Sequence, residues 1–293
     1  MLTFIILGII QGAVIGLLAL GIVLTYKGAK VFNFAAAEFG TIAAFFLLWF
    51  REDLGLPYMV AWVLALIGTG GVGFVFERLV VRPLFNAPRV TLLVATAGFA
   101  LLAIALELKL FGTEIHQIEP IAEGTVIQLF GINITFQQFT SIAIFGGLAA
   151  ALNYFFNKTD LGLAVLATSQ EPVATELVGI GTKKMSAFIW TFAAILGGIG
   201  GLLQAPDTTF TAGFMTVNFL LLGFTAAVIG GITSLNGAFV GGLLIGVVKQ
   251  LASYFDSQYL ENLGIPGIPD LAIFVLLLVV LYVRPKGLLG TEA

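Results

Sequence analysis

Long apolar runs alternate along this chain with short polar interruptions, and the length of the runs decides the fold class. A helix needs about 20 apolar residues to cross a bilayer. Windows of that length fall at Leu2 to Tyr26, Val31 to Phe50, Tyr58 to Val80, Val90 to Phe111, Phe136 to Asn157, Ser186 to Gln204, Val217 to Thr233, Gly237 to Phe255 and Pro269 to Val283. The seventh and eighth are short and separated only by Ser234-Leu235-Asn236, so they form either two spans or one broken or re-entrant element. The pattern predicts an all-α polytopic membrane protein with eight or nine transmembrane helices, in one domain covering residues 1–293.

Two interruptions have structure of their own. Between Gly112 and Thr135, the alternation in GTVIQLFGINIT around Gly131 predicts a small hairpin. Between Lys158 and Lys184, Glu171-Pro172 followed by VATELVG predicts a short helix, because Pro suits a first helical position and Gly179 suits the left-handed residue past the end. A plain solvated connection would need no such punctuation.

Composition agrees with a bilayer. The chain is 59% hydrophobic and 10% charged, with a mean hydropathy of +1.08, which excludes an ordinary soluble domain. Its 36 glycines suit closely packed helices, whereas a barrel would alternate apolar and polar residues along each strand. The first apolar run lacks a basic flank and a small-residue cleavage site, so it is expected to be retained as a span. Without cysteine there are no disulfides, thiolate metal sites or cysteine nucleophiles.

Alternating the connections places Lys27, Lys30, Arg78, Arg82, Arg89, Lys158, Lys183, Lys184, Arg284 and Lys286 on one side, ten of the 13 basic residues. Arg51, Lys109 and Lys249 fall on the other. The positive-inside rule makes the first side cytoplasmic, with the C-terminus inside. Glu107 and nine further acidic residues fall outside.

Candidate chemistry is sparse. The chain has no phosphate-binding loop ending in Lys-Ser/Thr, no metal-binding His-Glu pair and no basic array for nucleic acid. His116, the only histidine, reads as a solvated loop residue, since a metal site needs several converging ligands. If transport is ATP-driven, another polypeptide hydrolyses the ATP.

Glu38, eight residues beyond Lys30, lies about 12 Å farther along if the segment is helical. A carboxyl at that depth either fastens helices or lines a polar pathway. Further on, Gly230-Gly231 and Ser234-Leu235-Asn236-Gly237 break an apolar run, forming either a tight inner turn or an intramembrane break. Gly237 with Gly241, and Gly242 with Gly246, set small residues one turn apart, as do Gly197 and Gly201. Asn33, Glu38, Thr96, Ser234 and Asn236 are the pathway candidates.

Six segments in order resemble the permease subunits of branched-chain amino-acid ABC importers, the LivH type. They are ALGIVLTYKGAKVFNFAAAEFG, ERLVVRPL, LLVATAGFALL, VGIGTKKMSAFIWTFAAILGGIGGLL, AAVIGGITSLNGAFVGGLLIGV and RPKGLLG. The resemblance implies a non-enzymatic subunit of the bacterial cytoplasmic (inner) membrane, working with a second homologous permease. Two cytoplasmic ATPase subunits carrying ATP-Mg, and an external periplasmic solute-binding protein, complete such an importer. No metal or cofactor is implied in this chain. Related systems carry branched-chain or other neutral amino acids, or urea and short amides. The resemblance puts the ATPase contact in the inner loop, with Glu171, Pro172, Ala174, Leu177, Gly179 and Gly181 as the coupling candidates. An ion-coupled transporter or channel using Glu38 is the alternative from a different class.

Overall fold

The computed structural model describes residues 1–122, 124–129, 132–260 and 267–290. Every apolar window holds a helix, because a backbone surrounded by hydrocarbon must pair its N–H and C=O groups internally. The first four are α1 (Leu2–Ala29), α2 (Glu38–Glu52), α3 (Tyr58–Phe76) and α4 (Arg89–Phe111). An antiparallel hairpin of β1 (Thr125–Leu129) and β2 (Ile132–Thr135) follows, as the alternation predicts; its turn residue Gly131 lies outside the described residues. Then come α5 (Phe136–Lys158), α6 (Asp160–Gln170), α7 (Pro172–Leu177) and α8 (Thr182–Gln204). The last three are α9 (Phe214–Gly230), α10 (Leu235–Phe255) and α11 (Ile268–Val283).

Among the described residues six helices are long and apolar enough to cross a bilayer. In the three remaining windows α2, α9 and α11 are shorter, at 15, 17 and 16 residues.

The bundle is built around α1, which is buried without interruption from Gly12 to Thr25 and packs against α5, α8, α9 and α10. Glycine makes the closest of these contacts. A Cβ on Gly8 would lie 2.6 Å from Val247 Cα, and one on Gly12 would lie 2.9 Å from Gly242 O. One on Gly246 would fall on Gly8 O and Gly12 Cα. Lipid supplies no hydrophobic force between helices, so backbone approach and dispersion hold this pair together. On its other side α10 meets α9 antiparallel, Gly237 against Gly230 and Gly241 against Ala226. The seventh and eighth windows are therefore two helices joined by a turn. That turn is closed by Gly231 at φ 111° and by the Ser234 hydroxyl, which accepts the Gly237 N–H. Gly197 and Gly201 of α8 receive Ala36 O and the Gly40 backbone.

The second span departs from expectation. Lys30, in the left-handed region at φ 54°, ends α1, and residues 31–37 are not α-helical. Side chains take over their backbone pairing: Asn33 Oδ1 accepts the Ala35 N–H at 3.0 Å, and Thr96 Oγ1 of α4 accepts the Phe34 N–H at 3.1 Å. The helical rise of about 12 Å from Lys30 to Glu38 therefore does not apply.

Segments predicted to share a side gather at the same end of the bundle. At the basic end, Lys27 Nζ donates to Thr233 O, and Arg82 donates to Lys183 O. Residues 284–290 fold back there, where the Leu288 and Leu289 N–H groups donate to Ile229 O and Gly230 O. These are otherwise orphan carbonyls at the end of α9. Gly287, at φ 81°, and Gly290 fit against Gly231, so RPKGLLG works as a strap over the end of α9.

At the opposite end Arg51 pairs with Glu119 at 3.5 Å. His116 corrects another expectation: it forms an antiparallel bridge with Phe210, and its ring packs edge-on to Phe45 at 5.6 Å. It ties the outer loop to the segment entering α9, which a lone histidine in a sequence does not reveal.

Candidate functional site

The polar segment between α5 and α8 forms two helices. Thr159 starts α6, its Oγ1 accepting the Gly162 N–H at 3.1 Å, and fully buried Val165 anchors α6 to the bundle. Pro172 stands in the first turn of α7. Thr175 faces inward, 4% exposed, and its hydroxyl donates to Glu171 O at 2.7 Å. Past the helix, Gly179 adopts φ 86° and its N–H donates to Glu176 O, while Thr182 Oγ1 donates to Glu176.

The other face of α7 has no partner among the described residues. Leu177 is 84% exposed, Val178 75% and Val173 73%, with Ala174, Glu171, Gly179 and Gly181 exposed around them. Three large apolar side chains are thus exposed together on one short polar segment. Lys158, Lys183 and Lys184 are exposed nearby in sequence.

A rigid link joins this region to α3. After Phe76 the helix continues as a π turn, Glu77–Val81, and a 3-10 turn, Arg82–Leu84. Fully buried Glu77 pairs with Arg82 at 3.0 Å, and the same guanidinium reaches Lys183 O at the start of α8. A buried carboxylate held by a charge-assisted bond stays in place, so ERLVVRPL fixes the end of α3 against the segment that carries α7.

The five pathway candidates separate into two places. Asn33, Glu38 and Thr96 are fully buried around the break before α2. Ser234 caps α10, and Asn236 is exposed in its first turn, both at the basic end.

Glu38 has a partner that the sequence did not indicate. Glu107 of α4, counted among the outer acidic residues, is 5% exposed, and its carboxyl adjoins that of Glu38. Glu107 Oε2 accepts the Gly213 N–H at 3.0 Å, and Thr216 donates its hydroxyl to Glu38 Oε2. The N-terminus of α9 therefore points at this pair, where its positive end favours an acidic group. The second oxygens, Glu38 Oε1 and Glu107 Oε1, are buried and have no hydrogen-bond partner among the described residues. Glu107 lies one turn from the end of α4, which in sequence puts it among the outer acids; nothing in its neighbourhood signals a neighbour 69 positions away.

Replacing Glu107 with Leu should cost about 1–3 kcal/mol, because the Gly213 N–H loses its buried partner. Gln should retain much of that. Thermal unfolding of the detergent-solubilised protein checks both; equal midpoints for Glu107→Leu and the wild type would contradict it.

Residues 4–283 match the family described as the branched-chain amino acid transport system permease component. The chain is 28% identical to the high-affinity branched-chain amino acid transport system permease protein BraD of Pseudomonas aeruginosa, over 97% of this chain and 94% of BraD. It is 26% identical to the corresponding LivH protein of Escherichia coli K12, over 97% and 93%. Among solved structures, a chain of PsaBC from Streptococcus pneumoniae in complex with Fab is similar, with TM-score 0.50 and 14% identity over 97% of this chain and 92% of that one. This last likeness concerns the fold alone.

Proposed function

Since the chain belongs to the family of branched-chain amino acid transport permease components, we propose that it is the membrane-spanning subunit of an ATP-driven ABC importer. Its solutes are branched-chain or other neutral, hydrophobic amino acids, delivered by an external solute-binding protein. A second homologous permease completes the passage and two cytoplasmic ATPase subunits, carrying ATP-Mg, drive it. The bilayer is a bacterial cytoplasmic membrane, with the C-terminus and residues 158–185 inside. The relatives named for branched-chain amino acids, matched over 97% of the chain, support the solute class.

The observation that carries the coupling is α7, a helix started by Pro172 and ended before Gly179 that turns Val173, Leu177 and Val178 away from its own bundle. Nucleotide-driven closure of the ATPases would move α7, and the bond from Arg82 to Lys183 O gives that movement a route to α3 and α8. The break at residues 30–37, with Asn33, Glu38 and Thr96, and the turn bearing Ser234 and Asn236 are the polar places along the passage. Glu38 acts there by fastening α2 to α9 through Thr216.

One observation favours a second reading. The Glu38–Glu107 pair is what a proton-coupled transporter would need within the membrane. Liposomes containing the purified chain alone discriminate between the two. The importer reading expects no solute exchange without its partners, and co-purification of two ATPase subunits when the operating complex is isolated. Exchange by the isolated chain that follows an imposed proton gradient would overturn it.

A further inference from the structure

Away from the basic end, α3 and α4 both lean on α2 and leave a cleft of about 190 Å³ between them. Buried Phe45 and Ala103 form its floor, Val72 of α3 one wall, and Leu102, Leu106 and Leu110 of α4 the other. Those three leucines are 57%, 48% and 73% exposed, so the cleft opens sideways from the bundle. Aromatic contacts close its two ends: Phe99 rests on Phe76 at 4.3 Å, and Phe111 stacks on Phe45 at 4.5 Å. Phe99 lies ten residues past Arg89, about 15 Å along α4. In a hydrocarbon core of about 30 Å the cleft therefore occupies the leaflet away from the basic end.

Its chemistry and width select the occupant. No polar atom is exposed inside the cleft, and the Glu107 carboxyl beside it turns to the Gly213 N–H instead. An amino acid entering it would lose the hydration of its charged ends without gaining a partner. From Phe99 to Phe111 the cleft runs about 18 Å along α4. A volume of about 190 Å³ over that length is too narrow for a helix, which is about 10–12 Å across with its side chains. One hydrocarbon chain fits, and it restores the dispersion contacts that empty walls forgo.

Charge at the mouth adds a headgroup. Lys109 follows Leu106 by three residues and Leu102 by seven, on the same stripe of α4, and is exposed near the end of the helix. Among the described residues no carboxylate pairs with Lys109, whereas Arg51 at that end is taken by Glu119. A lysine near a helix end extends its ammonium to the membrane surface. Above an apolar slot, that ammonium matches a phosphate.

We propose that the cleft between α3 and α4 binds one acyl chain of a phospholipid whose phosphate rests on Lys109. The test uses the chain with its co-purifying subunits in vesicles of phosphatidylethanolamine and phosphatidylglycerol, doped with phosphatidylglycerol carrying a diazirine at the middle of one acyl chain. After illumination, adducts between Phe99 and Phe111 should exceed those on the exposed face of α11, at Phe274, Val275 and Leu278, at least fivefold. Ala103→Phe, which fills the floor, should bring α4 down to the α11 level. Leu106→Trp, which blocks the exposed rim and leaves the floor untouched, should do the same and covers the case in which the first variant folds poorly. Lys109→Glu should lower the adducts at least threefold for the phospholipid and leave them unchanged for a diacylglycerol with the same chain. Labelling of wild-type α4 no stronger than that of α11, or unaffected by both cleft-filling variants, overturns the site; equal phospholipid labelling of Lys109→Glu and the wild type overturns the phosphate contact. p-Benzoylphenylalanine in place of Leu106 should crosslink to lipid, and a crosslink to a second subunit instead would also overturn the site, since protein would then cover the cleft.

Discussion

Gly246→Val is expected to remove the folded protein from the membrane. A Cβ at this position falls on the backbone of α1 at Gly8 and Gly12, and backbone cannot rotate out of the way as a side chain can. Overpacking a core usually costs about 1–3 kcal/mol, but here the only relief is to separate α10 from α1, the central helix. That loosens a large share of the packing in a fold whose net stability is of order 5–15 kcal/mol. Gly71→Val is the matched control, since nothing lies within 4 Å of a Cβ there. The amount of protein recovered as a monodisperse peak from detergent extracts checks the pair: near-complete loss for Gly246→Val and near-wild-type recovery for Gly71→Val.

Leu177→Asp should leave the fold intact and break the coupling. The side chain is 84% exposed, so the change should alter stability by no more than about 0.5 kcal/mol. Placed against an apolar pocket of an ATPase, the same carboxylate would be desolvated without a partner, which costs several kcal/mol. Uptake should then fall at least tenfold while the complex still hydrolyses ATP, and Ala174→Asp should behave alike. Normal uptake in both variants, with the expected elution volume, would contradict the assignment of α7.

Much of this fold was legible because its rules are local. Run length located a helix in every window, six of them long enough to span among the described residues, since the bilayer dictates the number of apolar residues, and Pro172 with Gly179 bounded α7 because each acts on its own backbone. The departures came from groups that meet only in three dimensions. The break at residues 30–37 depends on Thr96, 62 positions from the Phe34 N–H that it accepts. Glu107 looked like an outer acid until α2 and α9 closed on it. His116 had no second ligand in the sequence and found a backbone partner in Phe210 instead. Even the glycine spacing, visible as a pattern, did not say which stripe of α10 would meet α1 and which would meet α9.

The central claim is that this chain moves solute only when an attached motor drives it through α7. Uptake of radiolabelled leucine into proteoliposomes holding the complete complex, with partner ATPases that bind but cannot hydrolyse ATP, tests this most directly. Uptake should fall to the level seen without ATP. Uptake that continues unchanged would contradict the account.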